Sequence, residues 1–268
     1  MQIKNIIKTT TAISRLDMEI LLARVLAKPR SYLHSHSETT LTDEQLAQFQ
    51  QYLARRQDDE PIAYILGHKE FWSLDLQVNQ NVLIPRPETE LLVEQVLQTL
   101  PADKNIKLAD LGTGCGAIAL AIASERPNWQ IIATDISHEA LQVASNNAQN
   151  LQINNIHFQQ GNWCAALNNK FDIIVSNPPY IAKNDPHWQT SIKFEPKISL
   201  VAGQDGLDDI KTLIATAKNN LNANGILILE HGYQQAQQLK NLMQNHGYKD
   251  ISTHKDIAAN DRVTLGSI

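Results

Sequence analysis

Asn177 is the residue whose neighbours most constrain its chemistry. It follows an apolar run, Phe171 to Val175, and precedes Pro178, Pro179 and Tyr180. The prolines fix φ and remove two N–H donors, so this turn presents acceptors: the Asn177 side-chain oxygen and the Pro178 carbonyl. Two acceptors at a fixed separation suit a planar –NH2 group, and Tyr180 can stack on its plane or wall it in. The nitrogen of an amide or exocyclic amine is a weak nucleophile because its lone pair is delocalised. Methyl transfer to it from a cationic sulfonium needs alignment above all, which can be worth ~7–11 kcal/mol of barrier. Binding both N–H hydrogens also favours positive charge developing on nitrogen. Taken alone, the tetrapeptide has a plainer alternative, a proline turn at a strand exit.

A second constellation lies upstream in ADLGTGCGAIAL, Ala109 to Leu120. A strand is expected to end at Asp110. Gly112, Gly114 and Gly116 then alternate with Thr113 and Cys115 into a helix, so the backbone can bend sharply and approach a ligand. The next apolar run ends in Asp135, where a carboxylate can accept from both hydroxyls of a ribose. Together these residues suggest an adenosine-containing cofactor at the carboxyl ends of the strands. GTGCGA also satisfies the G-x-G-x-x-A dinucleotide fingerprint, so a nicotinamide oxidoreductase competes. A phosphate-binding P-loop does not, because no Lys-Ser or Lys-Thr pair closes the turn. Glycines that only let a helix pack on a strand are the structural alternative.

These residues need a scaffold. From Lys104 onward short apolar strands (IKLADLG, IIATDIS, IHFQQG, FDIIVSN, GILILEHG) alternate with amphipathic helices, which predicts a doubly wound parallel sheet. KDISTHKD and RVTLGS have no helix between them and should add an antiparallel strand at the end. The front of the chain reads as helical. Met18, Leu21, Leu22, Val25 and Leu26 form one stripe before Pro29, and Thr42 with Gln45 forms a capping box. Between Phe71 and Ile84 the period changes to alternation, with Asn79 to Asn81 as turn chemistry, which predicts a β-hairpin. The expected organisation is a helical domain over residues 1–70, a hairpin linker over 71–84 and a catalytic domain over 85–268. Residues 181–206 lack a regular pattern and are expected to be a lid or binding loop, partly disordered without substrate.

Composition narrows the class. The chain has 268 residues, a 43% hydrophobic fraction, a formal net charge of -5 and two cysteines. That charge does not favour a protein held to nucleic acid mainly by phosphate contacts. Two cysteines make no disulfide framework, and His34 and His36 lack a ligand cluster, so no metal is expected. With Asp17, Glu19 and Arg24 inside its most apolar early stretch, the first 30 residues form no signal core. The expectation is a cytoplasmic protein with no membrane association.

IPRPETE (Ile84 to Glu90), DLGTGCGAIAL, DIS at Asp135, Asn162-Trp163, SNPPYI, FEP (Phe194 to Pro196), GQDGLD, LEHG (Leu229 to Gly232) and NDRVTLG together resemble the HemK/PrmC family of protein-(glutamine-N5) methyltransferases. The resemblance covers essentially the whole chain. It implies a class I methyltransferase with a Rossmann-like doubly wound sheet and a small N-terminal helical domain that binds release factors. The cofactor would be S-adenosyl-L-methionine, leaving as S-adenosyl-L-homocysteine. Asp110, Gly112, Thr113, Gly114, Cys115, Gly116, Asp135, Asn162 and Trp163 would bind it. Asn177 would reach both cofactor and substrate, and Asn177, Pro178, Pro179 and Tyr180 would form the catalytic grip. Pro85, Arg86 and Glu90 would line the substrate pocket. The substrate would be the glutamine of the Gly-Gly-Gln loop in peptide chain release factors 1 and 2, methylated by a monomer to modulate translation termination. Asn162 stands where the family commonly has Asp, and Cys115 where it has Ser or Thr. An adenine methyltransferase could use the same Asn-Pro-Pro-Tyr grip on a flipped base, but the acidic balance and small front end argue against it. A non-catalytic adaptor would have been favoured by loss of Asp110, Asp135 or Asn177.

Overall fold

The computed structural model describes residues 1–102, 104–185 and 191–268. They divide into two compact units, one comprising Met1–His68 with a short stretch ending at Phe194, the other the remaining residues from Lys69.

The first unit holds α1 (Ile3–Thr9), α2 (Arg15–Leu26), α3 (Arg30–Ser35), α4 (Asp43–Gln57) and α5 (Ile62–Leu66). Helices this short gain most of their stability from packing, and their apolar faces meet in one core that includes Ile3, Ile6, Met18, Leu21, Leu22, Leu33, Phe49 and Ile65. The Thr42–Gln45 capping box forms in both directions. Arg55 and Arg56, which at a helix end read as solvated charges, are engaged instead. Arg55 makes two bonds to Glu60, and Arg56 pairs with Asp17 at 2.9 Å. His34 lies in the last turn of α3 and His36 caps its end. His34 faces buried Glu19, whose carboxyl is held below its usual range chiefly by Arg30, and His36 stacks on Tyr32.

At the start of the second unit come β1 (His68–Phe71), all but its first residue, and β2 (Leu74–Gln77), which form a separate two-stranded sheet. The hairpin therefore starts and turns earlier than its sequence suggests. Trp72 and Ser73 both adopt positive φ, the backbone a two-residue hairpin turn requires. Asn79 does make turn chemistry, accepting from the Asn81 N–H, but in the chain that leaves the hairpin. Trp72 Nε1 donates to Glu125, and Gln77 exchanges two hydrogen bonds with the Asn147 side chain.

After a 3-10 turn (Pro87–Thr89) come α6 (Glu90–Thr99), β3 (Lys107–Leu111), α7 (Ala117–Glu125), β4 (Gln130–Asp135), α8 (His138–Asn150), β5 (Ile156–Gln160) and β6 (Phe171–Ser176). The chain continues through α9 (Asp208–Ala217), β7 (Leu221–Glu230), α10 (Ala236–Asn245), β8 (Lys249–Lys255) and β9 (Asp261–Ser267). The strands order as β5-β4-β3-β6-β7-β9-β8. The first five run parallel, and β9 is antiparallel to both β7 and β8, so β9 alone opposes the other strands, the antiparallel strand that the sequence suggested at this end. The order reverses between β3 and β6, the switch point at which doubly wound sheets bind ligands. There Leu111 pairs with Ser176, and Ser176 Oγ donates to the Leu111 carbonyl at 2.6 Å. That staple sets Gly112 and Asn177 side by side at the ends of adjacent strands.

Residues 181–206 make local backbone contacts on both sides of the undescribed stretch. Ile181 forms a bridge with Val201, Lys183 donates to the Gly203 carbonyl, and 3-10 turns cover Ser191–Phe194 and Lys197–Ser199. Residues 186–190, part of the expected loop, lie outside the described residues.

Candidate active site

A cavity of about 360 Å³ opens at the switch point. Gly112, Gly114, Asp135, Asn162, Trp163, Asn177 and Pro179 line it, so seven residues singled out in the sequence meet on one wall. Gly112 and Gly114 both have positive φ. A Cβ on Gly112 would come within 3.0 Å of the Trp163 ring, whereas one on Gly114 would point into open space. The turn is therefore closed by an indole on one side and free to meet a ligand on the other. Trp163 takes a positive φ, and its Nε1 donates to Asp209 Oδ1 at 3.1 Å.

Asp135 is held by its neighbours. Oδ2 accepts from Gly114 N and Oδ1 from Ser137 N, each at 2.9 Å. Burial raises its pKa, and the backbone N–H groups of Ser137, Gly114 and Ile136 oppose that rise. Each oxygen keeps a lone pair, so the fixed carboxylate can still accept two hydroxyl protons.

The other residues of the glycine turn sit behind this wall. Asp110 is fully buried; Oδ2 accepts from Thr113 Oγ1, and Oδ1 has no hydrogen-bond partner. Burial pushes its pKa up to about 7. Cys115 is buried as a protonated thiol, pushed up to about 12 by burial. A Cβ on Gly116 would crowd Leu120 and Ala144, so that glycine serves close helix packing.

The substrate side is similarly divided. Asn177 Nδ2 donates to Thr89 Oγ1 at 3.1 Å. The Tyr180 hydroxyl donates a long 3.5 Å bond to Glu230, and burial raises its pKa further above the ordinary phenol range. Arg86 pairs with buried Glu195, which also accepts from Ile84 N. Glu90 accepts from Trp72 N in the hairpin turn. Pro85, Arg86, Glu90, Pro178 and Tyr180 do not line the cavity, while Leu83, just before Pro85, does. His231 is a core residue, its Nε2 bonded to Thr264. Among the described residues no group of three or more His, Cys, Asp or Glu could hold a metal ion, and no helix is long and apolar enough to cross a membrane.

Sequence reasoning missed Ile136 and Gly161, directly after β4 and β5, together with Ile198, Ser199 and Val201, and Asp209 and Thr212 from α9. A signal for α9 was present. Ile210, Leu213, Ile214 and Ala217 repeat at helical spacing behind the acidic pair Asp208-Asp209, and all four are buried.

Comparison with known proteins fits this geometry. Residues 102–264 match the model of a methyltransferase domain and residues 3–67 that of the PrmC N-terminal domain. The chain is 50% identical over 266 residues to the release factor glutamine methyltransferase of Coxiella burnetii, covering 98% of this chain and 96% of that one. This chain belongs to the HemK/PrmC family. The protein of the same name from Escherichia coli K12 is 49% identical over 94% of this chain and 91% of that one. Among solved structures, a methyltransferase from Pyrococcus furiosus superposes with a TM-score of 0.56 at 19% identity, over 80% of this chain and 96% of that one, and shares the fold. The architecture is that of a class I methyltransferase, and the family depends on S-adenosylmethionine. The cavity fits that cofactor. It offers an open turn at Gly114 and a carboxylate at Asp135 that keeps a lone pair on each oxygen.

Proposed function

We propose that this protein transfers a methyl group from S-adenosylmethionine to the side-chain amide nitrogen of the Gly-Gly-Gln glutamine in peptide chain release factors 1 and 2. The observation that carries the reading is Asn177 on the cavity wall, next to the glycine turn, with its amide nitrogen already engaged by Thr89. With the nitrogen turned to Thr89, its oxygen can accept from a ligand, and the proline that follows adds a carbonyl. Both accept, so they match the two hydrogens of a glutamine –NH2.

In this reading Asp135 accepts from the ribose, the Gly112–Gly116 turn approaches the cofactor, and Trp163 and Asn162 wall its base. Bound S-adenosylmethionine supplies a methyl group on a sulfonium, an electrophile that needs no metal. Asn177 and the Pro178 carbonyl draw on both amide hydrogens, which favours pyramidal nitrogen and stabilises the positive charge it gains. Nitrogen forms its bond to the methyl carbon as the carbon–sulfur bond breaks, and the leaving thioether keeps the electron pair. The extra N–H proton departs to solvent after transfer, so no strong base has to be present beforehand. Arg86 acts through Glu195, holding the Ile84–Glu90 segment in place. The helical unit is assigned to docking the release factor. A monomeric cytoplasmic enzyme without direct nucleic-acid contact completes the proposal.

The test incubates the protein with labelled S-adenosylmethionine and unmodified release factor, beside a factor whose Gly-Gly-Gln glutamine is replaced. Label on the native glutamine alone, located by mass spectrometry, is the expected result. Label absent from both, with transfer to DNA or RNA adenine, would overturn the reading.

A further inference from the structure

Behind the Asn-Pro-Pro-Tyr turn, one side-chain amide joins three stretches of chain. Gln235 occupies the N-cap position of α10, and its own N–H donates to the Gly232 carbonyl. Its Oε1 accepts from Gly232 N, in the loop after β7, at 2.9 Å. Its Nε2 donates to the carbonyl of Tyr180, the last residue of the gripping segment, at 3.1 Å. The second Nε2 hydrogen goes to the carbonyl of Gly206, just before α9, at 3.2 Å. A backbone N–H can only donate and a carbonyl can only accept, so a single orientation of the amide makes all three bonds. The two glycines leave it room. A Cβ on Gly206 would collide with the Tyr180 carbonyl and come within 3.0 Å of Gln235 Nε2, and one on Gly232 would come within 3.0 Å of Oε1.

Tyr180 and Gly206 lie at the two ends of the connection between β6 and α9. Near the first end, Asn177 and Pro179 line the cavity. Beyond the second, α9 carries Asp209, which holds the Trp163 indole, and Thr212 on the cavity wall. Gln235 clasps these ends from behind and does not itself line the cavity. In-line transfer depends on the separation between the attacking nitrogen and the methyl carbon, and a misplacement of about 1 Å can cost about 100-fold in rate. We propose that Gln235 is a positioning residue for methyl transfer. Its amide fastens the end of the Asn-Pro-Pro-Tyr segment to the chain entering α9, and so sets the gripped nitrogen at its distance from the cofactor wall. That role deepens the proposed function and rests on Asn177 and the Pro178 carbonyl gripping the glutamine amide. A glutamate in this place would keep the Gly232 bond, lose both donations and set a negative charge against two carbonyl oxygens.

The test compares wild type with Gln235→Glu and Gln235→Leu. Release factor kcat and KM are separated, S-adenosylhomocysteine affinity is followed by calorimetry, and thermal unfolding is recorded. The hydrogen bond itself is read by NMR from protein labelled with carbonyl-13C glycine and 15N leucine. Gly206–Leu207 is the one Gly-Leu pair in the chain, so its peptide gives a single signal. Both variants are expected to move that signal and to lose about 10- to 100-fold in kcat. KM and S-adenosylhomocysteine affinity should stay within about 3-fold of wild type, because neither wall loses a contact to its own ligand. An unmoved Gly206 signal in Gln235→Leu would overturn the inference. So would wild-type kcat in a variant whose signal has moved. A fall in kcat matched by equal weakening of substrate binding, product binding and thermal stability would also overturn it, since that marks general loosening. If Gln235→Leu does not fold, Gln235→Glu, of nearly the same shape, decides by the same readouts. Wild type that labels no release factor would instead bring down the proposed function, and the role of Gln235 with it.

Discussion

Asp110 and Asp135 are both carboxylates at strand ends, yet they are suited to different work. Asp135 faces the cavity with each oxygen steadied by one backbone N–H, while Asp110 sits fully buried behind it. The folded pKa of Asp110, about 7, is raised above its unfolded value of 3.8, so the folded chain keeps a proton that the unfolded chain has lost. Its contribution is complete below about pH 4 and is lost as pH rises through 7. Asp110→Asn should therefore flatten the pH dependence of ligand-free stability between pH 4 and 8. Urea unfolding across that range, wild type against variant, is the check, and parallel slopes would contradict it. At the catalytic turn, Asn177→Ala should cut methyl transfer by at least about 10³-fold, since it removes an acceptor aimed at developing charge. Thermal unfolding should shift little. Cys115 shows a limit of local reading. It lies within a cofactor motif, but its side chain is turned into the core.

Among the elements, α9 was the least legible and is the most consequential. It comes directly after a segment with no regular period, so no apolar strand announces it in the sequence. It contributes Asp209, which holds the Trp163 indole, and Thr212. Asp209→Ala should free that ring and weaken S-adenosylhomocysteine binding about 5- to 20-fold, measured by calorimetry, with the cost of a lost side-chain hydrogen bond as the scale. The parallel strands, by contrast, were legible because each is a short apolar run ended by a polar or glycine residue. The hairpin was misplaced because its turn holds Trp72 and Ser73 at positive φ, where Gly, Asn or Asp would have given the signal, while the Asn79–Asn81 stretch carries a strong one. The Arg86–Glu195 pair joins residues far apart in sequence and could not be read there at all. Because the Glu195 side chain is almost wholly buried, Arg86→Ala should cost about 3–5 kcal/mol of stability by leaving that charge unpaired. Denaturant unfolding tests this, and Arg86→Ala with Glu195→Gln should be milder than Arg86→Ala alone.

At the scale of the whole molecule, a helical unit accompanies a catalytic unit that carries the entire cavity lining. If the helical unit docks the release factor, a short peptide bearing Gly-Gly-Gln should be a much poorer substrate than the intact factor. A fall of about 10²-fold in kcat/KM is expected, corresponding to one well-packed contact region. Equal values would assign recognition to the catalytic unit alone. The glycine turn, Asp135 and the Asn-Pro-Pro-Tyr segment were legible together because each must present particular atoms, whereas Ile136, Ile198 and Val201 only supply apolar surface, which many sequences can provide. Both thiols, Cys115 and Cys164, lie buried in the catalytic unit with burial holding them protonated. They should be silent toward maleimide in the native protein and react only when the sheet opens. Pulsed alkylation would thus time the breathing of the catalytic unit without any introduced probe, and a bound cofactor should slow that clock.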